Sequence, residues 1–208
     1  MCGIVGWIKN ESNTLNIKEG LVACGTRGQD ATGIMYPEGN QILIHKNGVP
    51  ADVFVKKMPK LNKKTFVIGH TRATTQGTEK KNENNHPHFN DKFILVHNGM
   101  ISATTNIKEY SYKSQCDSEN FVAYLTTYGW EGLNKIKGSG AVVGYDVKQE
   151  CIFFFRETTP LVFGLYNDDI VFASTQEIAK SLFEKTYGVF PPSAISWWEV
   201  PENKVFIF

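Results

Sequence analysis

Long apolar runs are missing from the 208 residues: none approaches the ~20 consecutive apolar positions that a membrane-spanning helix requires. Nor does the N-terminus carry a basic stretch, an apolar core and a small-residue cleavage site, the signature of an export signal. A soluble cytoplasmic protein is therefore expected. An excess of one charge is missing too, with 22 lysines and arginines against 21 aspartates and glutamates and no polybasic run. That excludes an electrostatic footprint for nucleic acid or an anionic membrane surface, so neither is expected as a partner. Cysteine is scarce and scattered, at Cys2, Cys24, Cys116 and Cys151, with no Cys-x-x-Cys pair. A disulfide scaffold is thereby excluded, and a reducing compartment fits. Repeats, low-complexity tracts and linkers are also lacking, so residues 1–208 are expected to form one domain with no synthase domain attached.

What the sequence has instead is strand signal. Apolar runs occur at Gly3 to Ile8, Gln41 to His45, Thr65 to Gly69, Lys92 to His97, Ala141 to Tyr145, Cys151 to Phe155, Leu161 to Leu165 and Ile170 to Ala173. Several are continuous rather than alternating, which predicts strands covered on both faces. The strongest helical spacing runs from Ser118 to Tyr128, opened by Asp117 or Ser118 as a cap and stopped by Gly129. Shorter helices are predicted over Ile17 to Cys24, Ala51 to Met58, Gly132 to Ile136 and Gln176 to Lys185. The chain end, Ile195 to Val200 and Val205 to Phe208 around Pro201-Glu-Asn-Lys204, predicts a terminal hairpin. Arg72 to Asp91 is polar and longer than most connections, which marks it as functional or disordered.

Chemistry concentrates in a few places. Removal of Met1 would leave Cys2 with a thiol beside a free α-amine, a nucleophile and a base on one residue; with Met1 kept, Cys2 reads as a buried strand residue. Arg72 closes a strand and offers a guanidinium fork for a carboxylate, or a plain surface ion pair. Asn98-Gly99 reads as a hairpin turn or as a side-chain amide and a backbone N–H able to hold an oxyanion, and the two are compatible. Asp117 is a helix cap or a carboxylate for an ammonium group. Four of the five histidines, His70, His86, His88 and His97, fall close together. They lack a helical i, i+4 pair with an intervening carboxylate, so no metal and no cofactor is expected.

Taken in order, Met1-Cys-Gly-Ile-Val-Gly6, Arg27-Gly-Gln-Asp-Ala-Thr-Gly33, Gly69-His-Thr-Arg72, Asn85-His-Pro-His88, His97-Asn-Gly99, Asp117-Ser-Glu119, Thr159 to Leu165 and Phe172-Ala-Ser174 resemble the class II glutamine amidotransferase domain, an N-terminal nucleophile hydrolase. The resemblance covers nearly the whole chain. It implies an α+β fold, a four-layer αββα sandwich of two mostly antiparallel sheets covered by helices. It implies L-glutamine as substrate, hydrolysed to glutamate and ammonia through a Cys2 thioester, with Asn98 and Gly99 holding the oxyanion. Arg72 would take the α-carboxylate of glutamine and Asp117 its α-ammonium, with Thr75 and His86 lining the pocket and Arg27 supporting the Cys2 region. Ala73 and Gln76 stand where the sugar-phosphate aminotransferase branch carries an aromatic and a histidine, while Arg27 to Asp30 is worded like the purine-synthesis branch, so the branch stays open. The ammonia is expected to pass to a separate synthase or aminotransferase subunit, the alternative being that the domain works alone as a glutaminase. Alternatives that keep the fold are hydrolysis of another amide, such as a γ-glutamyl or protein-bound glutamine, and a glutamine-binding domain without turnover. The nucleophile reading predicts that protein expressed with an untagged N-terminus has lost Met1, which an intact-mass spectrum reads directly; a chain that keeps Met1 has no free amine at Cys2.

Overall fold

The computed structural model describes residues 1–9, 15–61, 64–103, 106–166, 168–183 and 195–208. In chain order the elements are β1 (Gly3–Ile8), α1 (Ile17–Cys24), β2 (Ala31–Glu38), β3 (Gln41–Asn47), α2 (Ala51–Phe54), β4 (Phe66–Arg72), β5 (His88–Phe89), β6 (Phe93–Ala103), α3 (Glu119–Tyr128), β7 (Lys137–Asp146), β8 (Cys151–Arg156), β9 (Val162–Tyr166), β10 (Asp169–Ala173), α4 (Gln176–Ser181), β11 (Ser196–Glu199) and β12 (Phe206–Ile207). They build a seven-stranded sheet, β11-β9-β10-β1-β4-β2-β3, and a five-stranded sheet, β12-β8-β7-β6-β5. Each neighbouring pair of these strands runs antiparallel. No described helix is long and apolar enough to cross a membrane.

The continuous apolar runs explain the layering. Successive side chains on a strand point to opposite faces, so a strand apolar at every position must be covered twice. Val5 and Trp7 of β1, Val67 of β4 and Val171 of β10 point outward into a cluster with Ile17 and Leu21 of α1 and Ile178 of α4. Their neighbours Ile4, Ile68 and Phe172 point inward and meet Ile94 and Val96 of β6, Val143 of β7 and Phe154 of β8. On the far side, Leu95, Val142 and Phe153 pack against Phe121, Val122 and Leu133. Helices, sheet, sheet and helix follow in that order, and the four-layer αββα sandwich of the sequence reading is the fold observed.

Caps close the helices where the sequence has the chemistry for them. Asn16 accepts from the Lys18 N–H at the start of α1 and Thr175 from the Ile178 N–H at the start of α4. Gly129, at φ +62°, ends α3 as expected. At the start of α3, by contrast, neither Asp117 nor Ser118 caps the helix, and both side chains turn to β6 instead. Glu184 and Lys185, the expected end of α4, lie outside the described residues.

Three expectations are corrected. Ala31 to Glu38, not anticipated as a strand, is β2, although it holds Gly33 and Pro37. A Cβ on Gly33 would stand 2.0 Å from the His86 carbonyl, so glycine there lets the 73–91 segment lie directly on the sheet. Pro37 falls beyond Met35, the last residue of β2 that pairs with β4, where a missing N–H costs less. Second, Asn98-Gly99 is no hairpin turn. Both residues sit inside β6, opposite Ala141 and Gly140 of β7.

Third, the chain end is no hairpin, because β11 pairs with β9 at the edge of one sheet and β12 with β8 at the edge of the other. Between them the chain is held by Arg156, whose buried guanidinium donates to the Val200 carbonyl and pairs with Glu199 at 2.9 Å and Glu202 at 3.3 Å. The Asn203 N–H closes the clamp on the Arg156 carbonyl at 2.8 Å. Replacing Arg156 by Met strips a buried carbonyl of a charged donor and is expected to cost roughly 2 kcal/mol in urea unfolding. Glu199→Gln should cost below about 1 kcal/mol, since that partner is exposed.

Candidate functional site

Cys2 stands at the entry to β1, a central strand flanked by β10 and β4. The register Gly3↔Thr71 brings it beside the end of β4, where its thiol lies 3.7 Å from the Ala73 carbonyl. Arg27, on the turn after α1, donates from Nε to the Cys2 carbonyl at 2.8 Å, and its other arm reaches Met1 Sδ. That arginine therefore holds the backbone carbonyl of the second residue. The segment following β4 is tied back in turn: the Thr74 N–H donates to Asp30 at 2.6 Å and the Asp30 N–H to the Arg72 carbonyl at 3.0 Å. Burial pushes the Cys2 thiol up from its ordinary value, opposed by a backbone hydrogen bond at Ala73, the N-terminal charge and the Arg72 guanidinium.

β6 carries the second group of residues and lies across the inner face of β1 and β4. His70 Nε2 donates to the His97 carbonyl at 2.9 Å, and the Asn98 amide donates to Ser174 Oγ at 3.4 Å. Ser174 Oγ also accepts the Ile4 N–H at 2.9 Å, so Asn98 is joined through one hydroxyl to the backbone two residues from Cys2. Burial holds His70 neutral, its pKa pushed down to about 3, and the carbonyl it faces fixes the tautomer with the proton on Nε2. Gly99 follows at φ +155°, where a Cβ would stand 2.0 Å from the Ser139 carbonyl. Any other residue would force β6 and β7 apart.

The two groups expected to bind charged ends of a substrate lie nearby. Arg72, 2% exposed, donates to Asn85 Oδ1 at 3.1 Å, to the Gly77 carbonyl at 3.1 Å and to the Gln76 carbonyl. It also acts electrostatically on both the Cys2 and Cys116 thiols. Asp117 accepts the Ile101 N–H at 2.9 Å, two residues beyond Gly99 on β6. Cys2 at the start of β1 thus lies beside Arg72 at the end of β4, while Asn98, inside β6, is tied to β1 through Ser174 and Asp117 is tied to β6 at Ile101.

The other two expected pocket residues do not behave alike. Thr75 is exposed, while the hydroxyl of its neighbour Thr74 is buried without a hydrogen-bond partner among the described residues. His86 is buried, its ring 4.0 Å from that of His70 and 4.6 Å from that of His88. Far from being a free polar loop, residues 82–88 pack Asn84, Asn85, His86 and His88 inward, and Lys46 of β3 donates to the Asn85 and Pro87 carbonyls at 2.6 and 2.9 Å. Two open clefts, of about 460 and 560 Å³, lie beside β3 and α2 and beside residues 37–42; no expected site residue lines either.

Three features of the structure were given no role by sequence reasoning. Ser174 bridges two strands that its position in the chain does not connect. Thr74 and Asp30 order the turn beside the thiol. His86, His88 and Cys116 place their donor atoms within 4.8 Å of one another, all three buried. The spacing of histidines alone could not show that grouping, since the third donor comes from the turn before α3.

Residues 57–189 match the family model described as the glutamine amidotransferase domain. The glutamine–fructose-6-phosphate aminotransferase [isomerizing] of Helicobacter pylori is 29% identical over 201 residues, covering 86% of this chain and 33% of the relative. The chain thus spans about a third of the length of the curated relatives it matches. Among solved structures, the glutamine phosphoribosylpyrophosphate amidotransferase of Bacillus subtilis, complexed with ADP and GMP, superposes with a TM-score of 0.70 at 20% identity, over 99% of this chain and 47% of that one. A glutamine aminotransferase class-II domain protein from Silicibacter pomeroyi gives 0.55 at 12% identity, over 99% and 94%.

With Met1 in place, the raised Cys2 pKa means that the thiol keeps its proton to higher pH than an ordinary cysteine of about 8.5. Carboxamidomethylation of Cys2, followed by peptide mapping, should therefore be slow at pH 7 and still be rising above pH 8.5. A rate that levels off below pH 8 would contradict the burial argument.

Proposed function

The chain belongs to the glutamine amidotransferase domain family, and from that premise we propose that it hydrolyses the side-chain amide of L-glutamine with Cys2 as nucleophile. The observation that carries the reading is the junction of β1, β4 and β6, which brings together a thiol, a side-chain amide, a strand glycine, a guanidinium and a carboxylate contributed by four separate stretches of sequence.

In the proposed reaction, loss of Met1 frees the Cys2 α-amine, whose ordinary pKa of about 7.7–8.0 lets it accept the thiol proton near neutral pH. Sγ attacks the amide carbon of glutamine, and the carbonyl oxygen, now negative, is held by the Asn98 side-chain N–H and the Gly99 backbone N–H. Collapse breaks the C–N bond, and the amine passes its proton to the departing ammonia. Water, losing a proton to the same amine, then opens the thioester to glutamate and restores the thiol. Arg27 keeps the Cys2 carbonyl in place while these bonds change, and Ser174 orients Asn98.

For binding, Arg72 takes the α-carboxylate and Asp117 the α-ammonium, with Thr75 and His86 lining the pocket. The ammonia passes to an acceptor synthase. The Helicobacter pylori relative is named for transfer to fructose-6-phosphate, and two thirds of its length lies outside the match.

Glutamate release from free glutamine, by protein with a processed N-terminus, tests the proposal. Cys2→Ala should abolish it, and residual turnover in that variant would refute the nucleophile. Arg72→Lys loses the two-pronged carboxylate grip and should raise KM by roughly tenfold or more. The same substitution should erase the preference for glutamine over glutaminamide, which lacks the α-carboxylate. A preference that survives would reassign Arg72 to holding the loop alone.

A further inference from the structure

Buried imidazoles ordinarily find hydrogen-bond partners, and each exception calls for an explanation. His86, 2% exposed, has neither ring nitrogen paired among the described residues, and Nε2 of His88, 3% exposed, is likewise unpaired. Both face the thiol of Cys116, itself 6% exposed, with the three donor atoms within 4.8 Å of one another. We propose that His86, His88 and Cys116 form a Zn²⁺ site that pins the segment between β4 and β6 to the turn leading into α3.

The donor set selects the metal. Two imidazoles and one thiolate suit a borderline cation such as Zn²⁺, whereas Mg²⁺ and Ca²⁺ require oxygens that this set lacks. Bonds of about 2.0–2.1 Å to nitrogen and about 2.3 Å to sulfur place tetrahedral ligands of this set roughly 3.3–3.6 Å apart, so donors now within 4.8 Å of one another need to close by about 1.5 Å at most. Ligation takes the imidazoles in their neutral form and the cysteine as thiolate. On binding, the Cys116 S–H gives its proton to solvent and the thiolate takes its place on the metal.

The backbone already holds the donors in register. The Gln115 N–H donates to Asn84 Oδ1 at 2.8 Å, joining the two segments one residue away from Cys116. His88 lies on β5, its backbone paired with Leu95 of β6. The metal would sit between Asn85, which binds Arg72, and Asp117, and would set the spacing of the two residues proposed to hold glutamine. The inference does not depend on turnover, and its test reads metal directly.

Metal-free full-length protein, treated with a thiol reductant and then dialysed, is titrated with Zn²⁺ in a calorimeter and with Co²⁺ in a spectrophotometer. One equivalent should bind, Co²⁺ should give a thiolate charge-transfer band in the near ultraviolet, and Zn²⁺ should raise Tm. Cys116→Ser should lose the band and the Tm shift, while Cys2→Ala keeps both. Absence of binding by the unaltered chain, a band that survives in Cys116→Ser, or a band lost in Cys2→Ala would each overturn the site, the last by placing the metal at the N-terminal thiol. Should Cys116→Ser not fold, His88→Gln in the Cys2→Ala background gives the same reading, and a band retained there is equally fatal.

Discussion

Two polar bridges between apolar sheets fix where every reactive group lies: His70 to the His97 carbonyl, and Asn98 through Ser174 to the Ile4 N–H. Around them the inter-sheet layer is made of side chains such as Ile4, Ile68, Val96 and Phe154, which slide past one another at little cost because dispersion is not directional. Hydrogen bonds in a low-dielectric interior are directional, and leaving one buried partner unmade costs about 1–3 kcal/mol. A shift of β6 by two residues would keep the apolar faces matched yet leave His70, the His97 carbonyl and Asn98 unpaired together. Register between the strand bearing the thiol and the strand bearing the amide is thereby specified by polar groups, while the apolar residues supply the adhesion.

Sequence made the strands legible wherever both faces were apolar, because such a run has few other uses in a chain of this composition. It concealed β2, where Gly33 and Pro37 look like breakers until the His86 carbonyl is seen lying on Gly33. The C-terminal residues alternate and turn as a hairpin would, and only Arg156, some forty residues earlier in the chain, diverts them to opposite sheets. Among site residues, Cys2, Arg27, Asn98 and Arg72 carry local signals that a reader can weigh. Ser174, Thr74 and Cys116 carry none, since an isolated hydroxyl or thiol acquires a role only from what tertiary structure sets opposite it. Asp117 illustrates the middle case: its position before a helix suggests a cap, yet its carboxylate holds the Ile101 N–H of β6.

In the proposed reaction, Arg72 is the residue on which binding and loop structure compete. Its guanidinium is buried, and an unpaired charge there would be severely unfavourable, so the carbonyls of Gln76 and Gly77 and the amide oxygen of Asn85 satisfy it. Those acceptors are neutral. A substrate carboxylate offers the same donors charge-assisted bonds roughly twice as strong, so the exchange is favourable provided the displaced carbonyls find water. They can, because Gln76 and Thr75 are exposed and Gly77 already sits at φ +69°, where glycine moves without strain. Under the proposed carboxylate-binding role of Arg72, occupation of its guanidinium by substrate and release of the 75–77 turn are one event, because the same donors hold both.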